Sequence, residues 1–517
     1  MSFISIAWTL RCLFFLVVFL QVIIANSQVV QTSRTEIPLN RNEPMFEIAP
    51  SNAEGLYLYR HLSVNAENFL ELIRLDTALE QKWSGMIHTD PKLELAGKRT
   101  TGSRLFFLFR HAEINRKDLV LYDIRIDDGQ YEKHVIRNFI AFYPTDFQVS
   151  QQAAIVGGYY GNVPVVFYYS FADRRSRILP GLLNEAGELC QVRINKDGDF
   201  TVLISAETLG GNRTIWIKHY DEAGNLMYQM PLQTDGNKHL LFGRTVDYGG
   251  DIQLIAGTYG NRKSAYSKGI FLARIDEAGN QEIRHYNYGD LGNFFKYLKA
   301  KREQRIRDRI ARRKIRGKKI RFNYRFIVHE IVPHNDQFVL LGEAFYPKYI
   351  QMDNRFSSSF FYNTTAPAGF YTQNGRMFDG YRYTHAVVIG FDEKGHLLWD
   401  NSFEINDVKT FTLEQFVKIN TYEDRIALLY LFQNEIRSKI IDRNNVVEGK
   451  TVEPIRTFRE SVAFRKGRPE NSKSRMDYWY PGFFYAYGVQ HIPVEGSEER
   501  RVFYVNKITY FDDAHGR

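Results

Sequence analysis

An apolar run, a turn led by Asp and a second apolar run recur along this chain at intervals near fifty residues. The clearest copies span 215–228, 270–280 and 387–399. In them Asp221, Asp276 and Asp392 open Asp-x-x-Gly turns that end on Gly224, Gly279 and Gly395. Asp at the first position and Gly at the fourth suit a type I turn whose Gly takes the left-handed conformation, the usual three-residue hairpin loop. A chain built this way is committed to hairpins, and the motif carries no chemistry of its own.

Anchored on that Asp or its equivalent, the series runs Asp76, Asp127, Asp173, Asp221, Asp276, Asp392, Asp442 and Asp512, with gaps of 51, 46, 48, 55, 116, 50 and 70. The turns at Asp127, Asp173 and Asp442 lack the glycine pattern and read more weakly. The gap of 116 holds a basic insertion (293–320) and an irregular aromatic and polar loop (347–381), and their removal restores a period of 53. The last gap holds a smaller polar insertion, 467–475. Seven residues past the anchor stand Trp83, Tyr228, Ile283 and Trp399. Roughly eighteen before it lie apolar runs such as Leu56-Tyr57-Leu58 and Leu254-Ile255-Ala256, with Gly161-Asn162, Gly211-Asn212 and Gly260-Asn261 marking another turn in between. Several strands per repeat of this length predict a β-propeller. The expectation is an all-β fold over 44–517: one propeller of eight blades, with seven as the alternative. The eighth unit ends near its anchor without an outermost strand. The run Met45-Phe46-Glu47-Ile48 is expected to supply it and so close the ring, since an open sheet edge is an aggregation hazard.

At the amino end, Arg11 precedes an apolar run from Leu13 to Ile24 and the small residues Ala25-Asn26-Ser27. This predicts a signal peptide over 1–27, cleaved before Gln28, followed by a flexible segment over 28–43. An uncleaved anchor is the alternative, but the run is short for a bilayer, which needs ~20 apolar residues. Removal of Cys12 leaves Cys190 as a lone thiol, which excludes an internal disulfide and a cysteine-based zinc site. Export without disulfides fits a bacterial envelope, in the periplasm or at the cell surface, and argues against a nucleic-acid partner.

The net charge of +9 is concentrated. Residues 296–325 hold fifteen Lys or Arg against Glu303 and Asp308, a balance of +13 that leaves −4 for everything else. The basic insertion reads as one helix with Asn293 as N-cap and Gly317 past its end, supported by the i, i+4 pairs Glu303–Arg307 and Asp308–Arg312. Leu298, Ile306 and Ile310 make a stripe narrow enough to rest on a body without being buried in it. Its candidate contacts for an anionic polymer or an acidic protein face are Arg305, Arg309, Arg312, Arg313, Lys314 and Arg316; the competing reading is a solvated helix. In the aromatic loop, Tyr362, Phe370 and Tyr371 stand among small polar residues, a mixture suited to sugar or peptide recognition. The alternative is a loop folded over a blade. Asp477-Tyr478-Trp479-Tyr480 invites the same two readings, and burial in the closing blade is favoured.

No zincin helix, phosphate loop or nucleophile elbow occurs. Asn195-Lys196-Asp197-Gly198-Asp199 has oxygens at calcium-like spacing but lacks a distal Glu, and a hairpin turn explains it more simply. Asp76-Thr77-Ala78 looks like a short O-glycosylation acceptor, but a turn is the favoured reading. No catalytic, metal-binding or cofactor-binding residue follows from these patterns, and no cofactor is expected. The Asp-Glu-x-Gly-Asn/His hairpins over 45–517 resemble the exported β-propeller-like repeat proteins of Gram-negative envelopes. That resemblance implies a repeat architecture and no particular activity. The first reading of function is a non-enzymatic binding or scaffolding module that uses loops on one face, the basic helix and the aromatic loop as contacts. The alternative is a polysaccharide-acting enzyme, for which two or three carboxylates with raised pKa should gather in a central pocket.

Overall fold

In a computed structural model of the chain, the Asp-led turns fall at one place in successive four-stranded antiparallel sheets. The structure describes residues 29–510, apart from 66, 114–116, 139, 183–185, 209, 235–237, 248–251, 263, 265, 319, 352–375, 457–473 and 493–499. Eight sheets span 47–89, 93–136, 143–178, 187–231, 239–287, 325–404, 418–454 and 475–509, here blades 1 to 8. Each is a meander of strands A to D, with the A strands of neighbouring blades lying nearest one another around the axis. Every described anchor sits at the turn between C and D. Asp76 follows Glu67–Leu75, Asp276 follows Ser267–Ile275 and Asp392 follows Arg376–Phe391. Asp512 lies outside the described residues, directly after strand C of blade 8, Arg500–Thr509.

The anchors act through their side chains. At Asp221 the backbone makes the expected loop, with Gly224 N–H on the Asp221 carbonyl at 2.9 Å and Gly224 at φ +78°. The Asp221 carboxylate also accepts the Asn225 N–H at 2.7 Å. Asp276 and Asp392 repeat the arrangement with Asn280 and His396, both at 2.8 Å. At Asp173 and Asp442 the left-handed position falls on Arg174 (φ +54°) and Arg443 (φ +52°).

Burial explains why the B strands read as unbroken apolar runs. Both faces of an inner strand pack on neighbouring blades, so consecutive residues such as Leu254, Ile255 and Ala256 are all buried. Among the described residues, eight apolar clusters alternate with the eight blades around the ring, each shared by two neighbours. Polar side chains add links near the axis. Asp146 accepts the Val192 N–H at 2.9 Å, Gln191 accepts the Thr245 N–H at 2.8 Å, and buried Glu343 accepts the Val417 N–H at 2.6 Å.

An N-terminal strand closes the ring, but a different one from that expected. Val30–Pro38 is strand D of blade 8 and pairs antiparallel with strand C, Thr35 opposite Val505. Residues 45–48 instead lead into Glu47–Asn52, strand A of blade 1, with Phe46 and Ile48 buried between blades 1 and 8. The segment 28–43, expected to be flexible, thus contains the closing strand. An outermost strand is only half covered and tolerates polar residues if they find partners. Gln31 takes the Asn506 amide at 2.8 Å, and Arg34 donates to Gln490 at 2.6 Å. Trp479 is buried as favoured, its indole N–H on the Asn52 carbonyl at 3.0 Å, whereas Tyr478 is exposed.

Because the strands of a meander alternate in direction, D-to-A links and B–C turns leave on one face, and A–B and C–D turns on the other. The Asp-led turns all belong to the second face. Both insertions leave from the first, one just before blade 6 and one within it.

Candidate functional site

The link from blade 5 to blade 6 is fastened before its helix begins. Tyr288, Leu291, Phe294 and Phe295 are buried in the cluster shared by the two blades. The Asp400 carboxylate accepts the backbone N–H groups of Gly292 (2.7 Å) and Asn293 (2.6 Å). Burial pushes its pKa up, and those two bonds oppose the shift. Asn293 is therefore committed to Asp400 and does not cap the helix. Helix α1 runs over Ala300–Ile315 with Lys299 as N-cap. Its end matches the expectation: Gly317 is left-handed at φ +59°, its N–H on the Lys314 carbonyl and that of Lys318 on the Arg313 carbonyl, a Schellman arrangement.

Leu298, Ile306 and Ile310 pack half-buried on the ring. Beside them Arg307 bridges Glu303 at 2.6 Å and the Gly292 carbonyl at 2.7 Å, while Lys314 pairs with Asp290 at 3.1 Å. The second expected pair does not form through side chains. Arg312 donates to the Asp308 carbonyl, and the Asp308 carboxylate takes the Gln304 amide. At 100° per residue, Arg305, Arg309, Arg312 and Arg316 fall within an arc of roughly 60° facing away from Ile306 and Ile310, and all four are exposed. They form a stripe about 16 Å long, from eleven rises of 1.5 Å. Arg313 and Lys314, expected as contacts, lie on the side turned to the ring.

The second insertion is not an irregular loop over its whole length. Its ends prolong the B–C hairpin of blade 6, whose strands Gln337–Gln351 and Arg376–Phe391 stay paired as far as Gln351 opposite Arg376. A short strand, Lys409–Thr410, adds to the arm beside Tyr381 and Arg382. Tyr349 and Phe378 meet at 5.8 Å, Phe378 and Tyr381 at 4.9 Å, and Tyr381 and Phe345 at 5.6 Å, an aromatic ladder along the arm. Asp379 takes Lys409 and also lies 3.5 Å from Lys348, contacts that hold its carboxyl below the usual range. Tyr346, Tyr349, Phe411 and Leu413 are exposed around it. Tyr362, Phe370 and Tyr371 lie outside the described residues. Arm and helix meet at their bases, where His385 stacks on Tyr297 with ring centroids 3.8 Å apart and planes 6° from parallel.

Among the described residues, carboxylates with raised pKa do not gather at the axis. Burial raises Asp123 and Asp400, but they stand on blades 2 and 6, one bound by Arg104 and the other by backbone N–H groups. The axis instead carries a mixed cluster that residue spacing did not reveal, because it comes from four blades. Arg475 pairs with Glu47 at 2.7 Å, Lys418 with Asp477 at 3.2 Å, and Lys98 donates to the Ile48 carbonyl at 2.8 Å and to Tyr59 at 3.1 Å. Burial pushes the Lys98 ammonium down to about 8. No group of three or more His, Cys, Asp or Glu able to hold a metal occurs among the described residues. The Asn195–Asp199 stretch is a hairpin turn, with Gly198 at φ +89° and Asp199 on His219 at 2.9 Å. Asp76 likewise serves its turn, accepting the N–H groups of Ala78 and Glu80.

No family model matches the chain, and no curated protein matches it. Solved structures resemble it distantly. The chain is similar to the polysaccharide lyase Uly1 at 10% identity over 93% of this chain and 99% of that one, with a TM-score of 0.40. It is similar to the β-propeller domain of the Trilobed protease from Pyrococcus furiosus at 7% identity over 79% and 98%, with a TM-score of 0.35. An apocarotenoid oxygenase from Synechocystis matches at 11% identity over 47% and 62%, with a TM-score of 0.30. At these identities and TM-scores the likeness carries no argument about activity, and the architecture rests on the strand pairing itself. No helix among the described residues is long and apolar enough to cross a membrane.

Proposed function

We propose that this protein is a binding or scaffolding propeller of the bacterial cell envelope, exported to the periplasm or the cell surface, that grips an anionic partner through α1 and the blade 6 arm. The observation that carries the reading is the stripe of four outward arginines on a helix fastened to the ring by its opposite side. A helix free in solvent would spend its charge on solvation. One held by Asp400, Arg307 and an apolar stripe presents its guanidinium groups at fixed spacing, and guanidinium matches carboxylate and phosphate geometry. Regular spacing at i, i+4, i+7 and i+11 favours a repeating polyanion over a single acidic group. The arm adds aromatic faces on the same side of the ring.

The test replaces Arg305, Arg309, Arg312 and Arg316 together by Gln, which keeps helix propensity, and repeats a pull-down from envelope extract at low and raised salt. The expected result is loss of an acidic polymer that salt also releases from the parent protein. Unchanged partners would end the reading, and capture of an acidic protein instead would reassign the partner. A second reading, an enzyme acting on polysaccharide, is favoured by one feature: Glu47 and Asp477 stand on the A strands of blades 1 and 8 beside Lys98. Chain shortening of the bound polymer in the same experiment would support it.

A further inference from the structure

Away from blade 6, but on the same face of the ring, a cleft of about 650 Å³ opens where blades 3, 4 and 5 meet. Its size falls within the range of small-molecule sites. Blade 3 contributes Tyr159 from the end of strand B and Asn162 from its B–C turn, blade 4 contributes Glu188, Glu207 and Arg213, and the B–C turn of blade 5 contributes Arg262. The charges are arranged as two clamped pairs. Arg262 meets Glu207 in a two-pronged bridge, Nε to Oε1 at 3.0 Å and Nη2 to Oε2 at 2.6 Å. Arg213 meets Glu188 at 2.9 Å and is held from behind by the Ser205 hydroxyl at 2.8 Å and the Leu241 carbonyl at 3.2 Å. In both guanidinium groups Nη1 has no hydrogen-bond partner among the described residues.

We infer that this cleft is a binding site for a neutral, polyhydroxylated ligand, a short saccharide. The formal charge of the lining cancels, two arginines against two glutamates, so an incoming anion gains nothing overall and meets a carboxylate beside each guanidinium. A hydroxyl suits both halves of such a pair, accepting from an Nη1 donor and donating to a carboxylate oxygen. Adjacent hydroxyls on a sugar ring can do this at both pairs, while the Tyr159 ring offers an apolar wall. Tyr159 is fixed for that role, since its hydroxyl accepts the Leu189 N–H at 2.8 Å. The inference stands apart from the helix reading and survives its failure.

The test titrates the full chain with maltotriose, cellotriose and chitotriose as neutral probes, and with glucuronate as an anionic one, by calorimetry and saturation-transfer NMR. Saturable binding of at least one neutral trisaccharide is expected. Arg262→Ala and Glu207→Gln should each weaken it about tenfold, the loss of one charge-assisted hydrogen bond. Arg262 is exposed and Glu207 only partly buried at the end of its strand, so these variants should keep the parent melting temperature. Asn162→Trp, which fills the cleft from an exposed turn, should abolish binding. No saturable binding by any of the three sugars, binding indifferent to Arg262→Ala and Asn162→Trp, or glucuronate bound more tightly than the sugars would each overturn the proposal.

Discussion

At the scale of single residues, His385 is the most consequential buried group. It is wholly buried, accepts or donates at Nδ1 with Thr384 at 2.9 Å, and has an Nε2 with no partner among the described residues. Burial pushes its pKa down to about 3, against about 6.5 for an imidazole in the unfolded chain. The folded state therefore binds fewer protons below pH 6.5. This group's contribution to stability is complete above that pH and is lost as the pH falls from 6.5 toward 3. By pH 5 the loss should reach about 2 kcal/mol. His385→Phe keeps a ring against Tyr297 and should flatten that part of the pH dependence in urea unfolding at pH 7 and pH 5. A variant with the parent's slope would show that His385 does not set it. None of this was legible beforehand, since a histidine in an apolar strand gives no sign that a distant tyrosine will cover it.

At the scale of elements, local rules read well where the chain obeyed them locally. The Gly317 terminus, the Glu303–Arg307 pair and the Leu298, Ile306 and Ile310 stripe were all in the sequence. The N-terminal boundary was not, because Asn293 found a tertiary partner in Asp400, and a tertiary contact outranks a capping preference of about 1 kcal/mol. The arm was misread for a related reason: a hairpin prolonged beyond its sheet loses the apolar alternation that marks a half-buried strand. Inner strands also blur their own pattern, as where Tyr143–Val149 slips register between Pro144 and Asp146. Docking of α1 should depend on its narrow stripe. Ile306→Asp with Ile310→Asp should leave the ring folded but speed tryptic cleavage within 300–316 severalfold, since two half-buried side chains contribute on the order of 1–3 kcal/mol. Equal cleavage rates would mean that the ion pairs alone hold the helix.

At the scale of the molecule, the count of eight blades and the place of each described Asp-led turn follow from periodicity. Which segment closes the ring does not. Apolar content points to 45–48, whereas the actual strand is polar and satisfies itself through partners such as Asn506 and Gln490 that no local window contains. Deleting 28–39 should expose the free edge of Arg500–Thr509, lower the melting temperature by several degrees and promote association. A truncated chain as stable and monomeric as the parent would show that the fourth strand of blade 8 is dispensable.

The same closure sets an order of events during synthesis. Gln31 and Asn506 touch although they stand 475 positions apart. Strand Val30–Pro38 must therefore wait, unpaired, until Arg500–Thr509 has been made. Contacts of such separation make folding slow. For that interval the nascent chain carries an open border, free to meet a neighbouring molecule before its own partner exists.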